Sequence, residues 1–210
     1  MNNKDKVILD LSGGTGAWSK FYNENGYTVY IVTLPGFDIF NIHFRCDNNL
    51  TIVGNEGYET FSIPYEKIYG ILFAPVCTDF SLARTTAKTP RDLERGMRLV
   101  KQGLHIIWNC RYRNKLAFWA LENPTGYLRQ FLGRPALTFN PCDYGDPYTK
   151  RTDLFGYFNI PKRNPIKLNA EQRARCAINN RKLPVDIKGT AARRAITPAG
   201  FAKAFFLANQ

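Results

Sequence analysis

Histidine and paired cysteine are scarce in this chain. Its 210 residues hold two histidines, His43 and His105, and five cysteines, Cys46, Cys77, Cys110, Cys142 and Cys176. The cysteines are odd in number and widely spaced, with no Cys-x-x-Cys pair. That pattern argues against a zinc site and for free thiols in a reducing compartment, one of which could be a nucleophile. No apolar run approaches the ~18 residues of a bilayer span. The opening segment, Met1 to Lys6, is polar and runs straight into a strand-like stretch without an apolar signal region. Neither a membrane protein nor a secreted one is expected. Internal repeats and low-complexity tracts are also missing. What is present suits a folded domain: 44% hydrophobic and 14% aromatic residues provide for a core. The length fits one domain, or one domain with a small lobe.

Acidic residues thin out along the chain. Lys and Arg number 29 against 17 Asp and Glu, a net charge of +12. Residues 1–60 carry −3, residues 61–160 carry +6 and residues 161–210 carry +9. An acidic start and a basic end point to a polyanion contacting the later part. A merely soluble basic surface would look the same by charge alone.

Val7 to Leu11 reads as a buried parallel strand, followed by the turn Ser12-Gly13-Gly14-Thr15-Gly16. A helix is predicted over 17–25 with Gly26 as its stop, then a strand over 27–34. Ile68 to Ala74 is a further strand. Thr89 as N-cap and Pro90 as first helical residue open a helix carried by Leu93, Met97, Val100, Leu104, Ile107 and Trp108. Phe118 to Leu121 is a strand ending at Glu122, and 154–158 is strand-like. Asn169 caps a helix through Asn179, and Thr197-Pro198 opens a last helix through Leu207. Strands alternating with helices predict an α/β domain with a mostly parallel sheet. Residues 1–158 and 196–210 form that domain, with 159–195 as a small basic lobe.

Three strand ends carry chemistry. The glycines after the first strand allow a tight turn and close approach of a ligand to helix N–H groups. An ordinary βα turn uses the same residues. Ala74-Pro75-Val76-Cys77-Thr78-Asp79-Phe80-Ser81 places a thiol just past a strand, where open α/β sheets bind ligands. A lone cysteine is also commonly a small buried side chain. Leu121-Glu122-Asn123-Pro124-Thr125-Gly126 sets a carboxyl at a strand end, suited to proton transfer. The same carboxyl near the N-terminus of a following helix would be favoured by the helix dipole alone. Tyr144 to Asp153 mixes turn formers, aromatics and the pair Lys150-Arg151, suited to a phosphate or a base edge, or to a solvated hairpin tip.

Taken together and in this order, these pieces resemble the DNA (cytosine-5) methyltransferases, most of all their compact phage and bacterial members. The resemblance rests on Leu9 to Trp18, Pro75-Val76-Cys77 with Phe80-Ser81, Glu122-Asn123-Pro124, Tyr144 to Phe155 and Thr197 to Ala202. It implies a Rossmann-like S-adenosylmethionine-dependent methyltransferase fold in the cytoplasm of a bacterial host, encoded by the bacterium or a phage. Cys77 would be the nucleophile adding to carbon 6 of a cytosine flipped from double-stranded DNA. Glu122 would serve ring N3 and the exocyclic amine, and Arg151 the base carbonyl or the flipped phosphate. S-adenosylmethionine would lie against Asp10, Ser12, Gly13, Gly14, Thr15, Gly16, Trp18, Asp38 and Pro75. Arg84, Lys88, Arg91, Lys150 and Arg151 would contact DNA. For Trp18, packing on the sheet is the competing reading, and for basic helix residues a solvated face.

The chain departs from the family at four places. Val76 stands where a second proline is usual. Thr33 occupies the position of the acid that binds the donor ribose. Arg151 is followed two positions later by Asp153 rather than by a second arginine. Residues 159–195 are shorter than a typical target-recognition domain, so sequence recognition would be minimal or borrowed from a protein partner. Two alternatives remain open: a catalytically idle DNA-binding descendant, and an enzyme of the same fold using another substrate or a modified methyl donor.

Overall fold

The computed structural model describes residues 2–82, 84, 88–173 and 195–210. In chain order the strands and helices are β1 (Val7–Leu11), α1 (Lys20–Glu24), β2 (Thr28–Val32), β3 (Phe37–Phe44), β4 (Asn49–Gly54), β5 (Phe61–Pro64), β6 (Ile68–Phe73), α2 (Leu93–Arg113), β7 (Phe118–Pro124), α3 (Leu128–Leu132), β8 (Leu137–Phe139), β9 (Thr152–Tyr157) and α4 (Ala199–Ala208). The fold is α/β. A mixed six-stranded sheet has the order β2-β1-β6-β7-β9-β8. Its first four strands are mutually parallel, while β9 runs antiparallel to both neighbours.

Period-2 alternation splits the core into two layers. On one face, Leu9, Leu11, Ile71, Phe73 and Leu121 meet Val100, Ile106 and Ile107 of α2. On the other, Ile8, Leu72, Phe118 and Ala120 meet Trp18, Tyr22, Phe201 and Phe205, the last two from α4. Helix α2 lies very close to the sheet at Gly103, where a Cβ would stand 2.1 Å from the Phe73 ring. The all-buried β1 and nearly all-buried β6 explain why both read as continuous apolar runs.

Several expectations shift. The first helix begins at Lys20 rather than at 17, because the chain is still turning where the Ser19 hydroxyl donates to the Gly16 carbonyl and to Asp10. The long helix is capped by Asp92, whose carboxylate accepts from the Arg95 N–H at 2.9 Å. Thr89 does not cap it; its carbonyl and hydroxyl accept from Arg84 instead. Residues 37–64, for which the sequence suggested no element, form a second, antiparallel sheet β3-β4-β5.

Of the expected basic lobe, 159–195, the structure describes 159–173 and 195. Asn159 bonds to Asn209 and Ala208, and the N–H groups of Asn164 and Ile166 donate to the carbonyls of Asp143 and Cys142. These ties lay 159–166 along the main unit. Asn169 does cap a helical turn, exchanging hydrogen bonds with Gln172. The rest of that predicted helix lies outside the described residues. Among the described residues no helix is long and apolar enough to cross a membrane.

Candidate active site

The chain passes from β1 to β2 on one side, then returns to β6 on the other side of β1. This reversal falls at the carboxyl ends of β1 and β6, the position where open α/β sheets take ligands. Leu11, Phe73 and Leu121 pair across three parallel strands at one level. The next residues along are Ser12, Ala74 and Glu122. The glycine loop and the cysteine loop therefore leave β1 and β6 side by side, at the level of Glu122, which is still inside β7 and paired with Leu154, on strands about 5 Å apart.

The glycine loop is built over Asp10. Its carboxylate is fully buried, and Oδ2 accepts from the Ser19 hydroxyl at 2.5 Å. A Cβ on Gly13 would sit 2.4 Å from the Asp10 carboxyl carbon, so only glycine lets the loop close over it. Ser12, Gly14 and Gly16 all have positive φ, and around Gly14 the space is open. Asp10 Oδ1 is buried with no partner. Burial pushes the Asp10 carboxyl up to about 6, against the opposing hydrogen bonds from Ser19. Because the folded value exceeds the ordinary one, the folded protein binds the extra proton. Asp10 thus contributes stability fully below pH about 4, and this is lost as pH rises through about 6, a difference of about 3 kcal/mol. Thermal unfolding from pH 4 to 7 is expected to show that decline, and Asp10→Asn to flatten it.

The cysteine loop is stitched to the Glu122 strand. Asn123 is fully buried, and its Nδ2 donates to the Pro75 carbonyl at 3.2 Å. The Tyr127 N–H donates to the Phe80 carbonyl, and Ser81 bridges Gly126. A Cβ on Gly126 would lie 2.1 Å from the Phe80 oxygen, so that residue must be glycine for the two loops to meet. Cys77 sits half-buried at the top of this loop, and its carbonyl accepts from the N–H groups of Phe80 and Ser81. Val76 beside it is exposed.

The basic residues divide. Arg84 pairs with the buried Asp79 at 2.9 Å, and Arg95 pairs with it at 2.8 Å. Arg91 donates to the carbonyls of Asp79, Ser81 and Arg84. Burial works to raise the Asp79 pKa, but hydrogen bonds from Arg95 and the Asp92 N–H, with the charges of Arg95 and Arg84, outweigh it and hold it below the ordinary value. So Arg84 and Arg91, expected on DNA, here brace the segment after Cys77. Lys88 is exposed. Lys150 lies 3.7 Å from Glu122 Oε1, so its charge faces the carboxylate as well as any DNA. Arg151 is exposed at the start of β9, with its carbonyl accepting from the Thr125 N–H. Asp153 is buried and takes up Arg129, Thr125 and Thr138.

Two residues expected to meet the donor have partners within the fold. Trp18 is 2% exposed and packs against Phe201 and Phe205, so core packing accounts for it. Asp38 lies on β3, where its carboxylate accepts from the Phe40 N–H in a local turn. Sequence reading missed Ser19, Asp79, Asn123 and Tyr148 as parts of the site. Tyr148 stands near Glu122: burial pushes its phenol up to about 12, with the charges of Asp146 and Glu122 adding. Asp79 and Asn123 stood inside the quoted motifs, and a search for buried polar residues at strand ends would have raised them. Among the described residues no group of His, Cys, Asp or Glu is arranged to hold a metal ion. No known family model matches the chain, and no curated protein matches it significantly.

Proposed function

We propose that the chain is a DNA (cytosine-5) methyltransferase using S-adenosylmethionine on a Rossmann-like methyltransferase fold. One observation carries the reading. A glycine loop and the loop that holds the half-buried Cys77 leave two adjacent parallel strands beside the reversal point of the sheet, and Glu122 stands at the same level on the next strand. The orphaned Asp10 Oδ1, the open space at Gly14 and the positive-φ loop from Ser12 to Gly16 fit a polar cofactor approaching the backbone closely. Asp10, Ser12 to Gly16 and Pro75 would hold S-adenosylmethionine. When bound it supplies an electrophilic methyl group.

The residues' own parts follow from the chemistry of cytosine. Carbon 5 is a poor nucleophile. Addition of the Cys77 thiolate to carbon 6 forms an Sγ–C6 bond and pushes the C5=C6 electron pair toward carbon 5. Glu122 holds a proton or hydrogen bond at N3 as negative charge builds on the ring. Lys150 holds its charge 3.7 Å from that carboxyl. After carbon 5 is methylated, its proton leaves to a base, the C5=C6 bond reforms and the Cys77 thiolate departs. Arg151 at the mouth serves the base carbonyl or the flipped phosphate.

The test is incubation with methyl-labelled S-adenosylmethionine and unmethylated duplex DNA, followed by digestion to nucleosides. Label in 5-methyldeoxycytidine is expected. Unlabelled DNA that the protein nonetheless binds would overturn the reading.

A further inference from the structure

The opposite edge of the sheet carries a second concentration of charge and aromatic surface. The end of α2, the turn after it and the end of β9 line a cleft of about 650 Å³ formed by Arg111, Tyr112, Arg113, Lys115 and Tyr157 with their neighbours. Trp119 of β7 pairs with Tyr157 of β9, which fixes this cleft at the amino ends of the parallel strands, away from Cys77 and Glu122. From Arg95 to Arg111 along α2 is about 24 Å.

Its composition is one-sided. Residues 108–117 hold Arg111, Arg113 and Lys115 and no acid. Tyr112 is 90% exposed, Tyr157 63% and Trp108 55%. An apolar ring left in water has a cost, and here three stand together. Arg111 lies over the rings of both Trp108 and Tyr157, at 5.4 and 5.7 Å, so guanidinium and aromatic planes are already layered. Cations for phosphates interleaved with ring faces for bases are what a sequence-tolerant single-strand platform consists of.

We propose that this cleft is a second nucleic-acid site, taking single-stranded nucleic acid by phosphate pairing to Arg111, Arg113 and Lys115 and by base stacking on Tyr112 and Tyr157. It is independent of the methylation reading, since none of its residues belongs to the catalytic mouth. An acidic protein surface would meet the same charges but has no bases for the rings.

The test is fluorescence anisotropy of a labelled 20-nucleotide oligothymidine with the full chain, read beside tryptophan emission. Binding is expected with quenching that Trp108→Phe removes. Tyr112→Ala is expected to weaken it about tenfold, and Arg113→Ala to lower the salt slope by about one ion. Both residues are exposed, though Arg113 also donates to Asn109 and lies over the Tyr65 ring, so circular dichroism and thermal unfolding check that each variant keeps the parent's fold. Unchanged affinity in both folded variants overturns the proposal. So does polyglutamate displacing the oligonucleotide at equal charge concentration, which would mark a plain cationic surface for an acidic protein.

Discussion

Cys77→Ala is expected to take methyl transfer below detection while DNA binding stays within a few-fold. The fold should survive the change. Cys77 holds its loop through its backbone carbonyl, bonded to the N–H groups of Phe80 and Ser81, and alanine keeps that carbonyl. Without the sulfur, nothing in the scheme adds to carbon 6, and carbon 5 stays unreactive. A sharper check uses duplex DNA with 5-fluorocytosine. Fluorine cannot leave as a proton does, so the Sγ–C6 bond should persist and the protein should run with the DNA on a denaturing gel. That band should vanish with Cys77→Ala. Full transfer by the variant would sink the mechanism.

Glu122→Gln is expected to slow single-turnover methylation by about 100-fold or more, the scale of a positioned proton-transfer group. The amide keeps the shape and one acceptor but carries no acidic proton. DNA affinity should change little. The change also removes the negative charge 3.7 Å from Lys150, so any gain in affinity would reflect a more positive mouth. A loss smaller than tenfold would move the proton role to a neighbour, with Tyr148 the first to test by Tyr148→Phe.

The parallel half of the sheet was legible because β1, β6 and β7 are buried on both faces and read as apolar runs. The ends of those runs were legible too, and they hold the glycine loop, Cys77 and Glu122. The sheet β3-β4-β5 was not, because exposed Phe40 and polar Asn41 and His43 blur its alternation. The pairings of the basic residues escaped for another reason. Asp79 stands only five residues before Arg84 and twelve before Arg91, but in an irregular loop no periodicity says which side chains will meet. For Trp18 the sequence left donor contact and packing both open, because the aromatic residues of α4 that pack on it stand some 180 positions on.

Strand β9 enters at Arg151 in the mouth and leaves at Tyr157 on the far edge. Its six residues span about 20 Å, paired with β7 along their whole length and with β8 over Thr152 to Leu154. It therefore behaves as a ruler. A nucleic acid held at both proposed sites has to bridge that distance, ending as a single strand at the far edge. On those two proposals, an oligonucleotide too short to bridge it is expected to occupy one edge only. Affinity plotted against length should then rise in a step rather than smoothly, and the position of the step should move if β9 were lengthened by two residues.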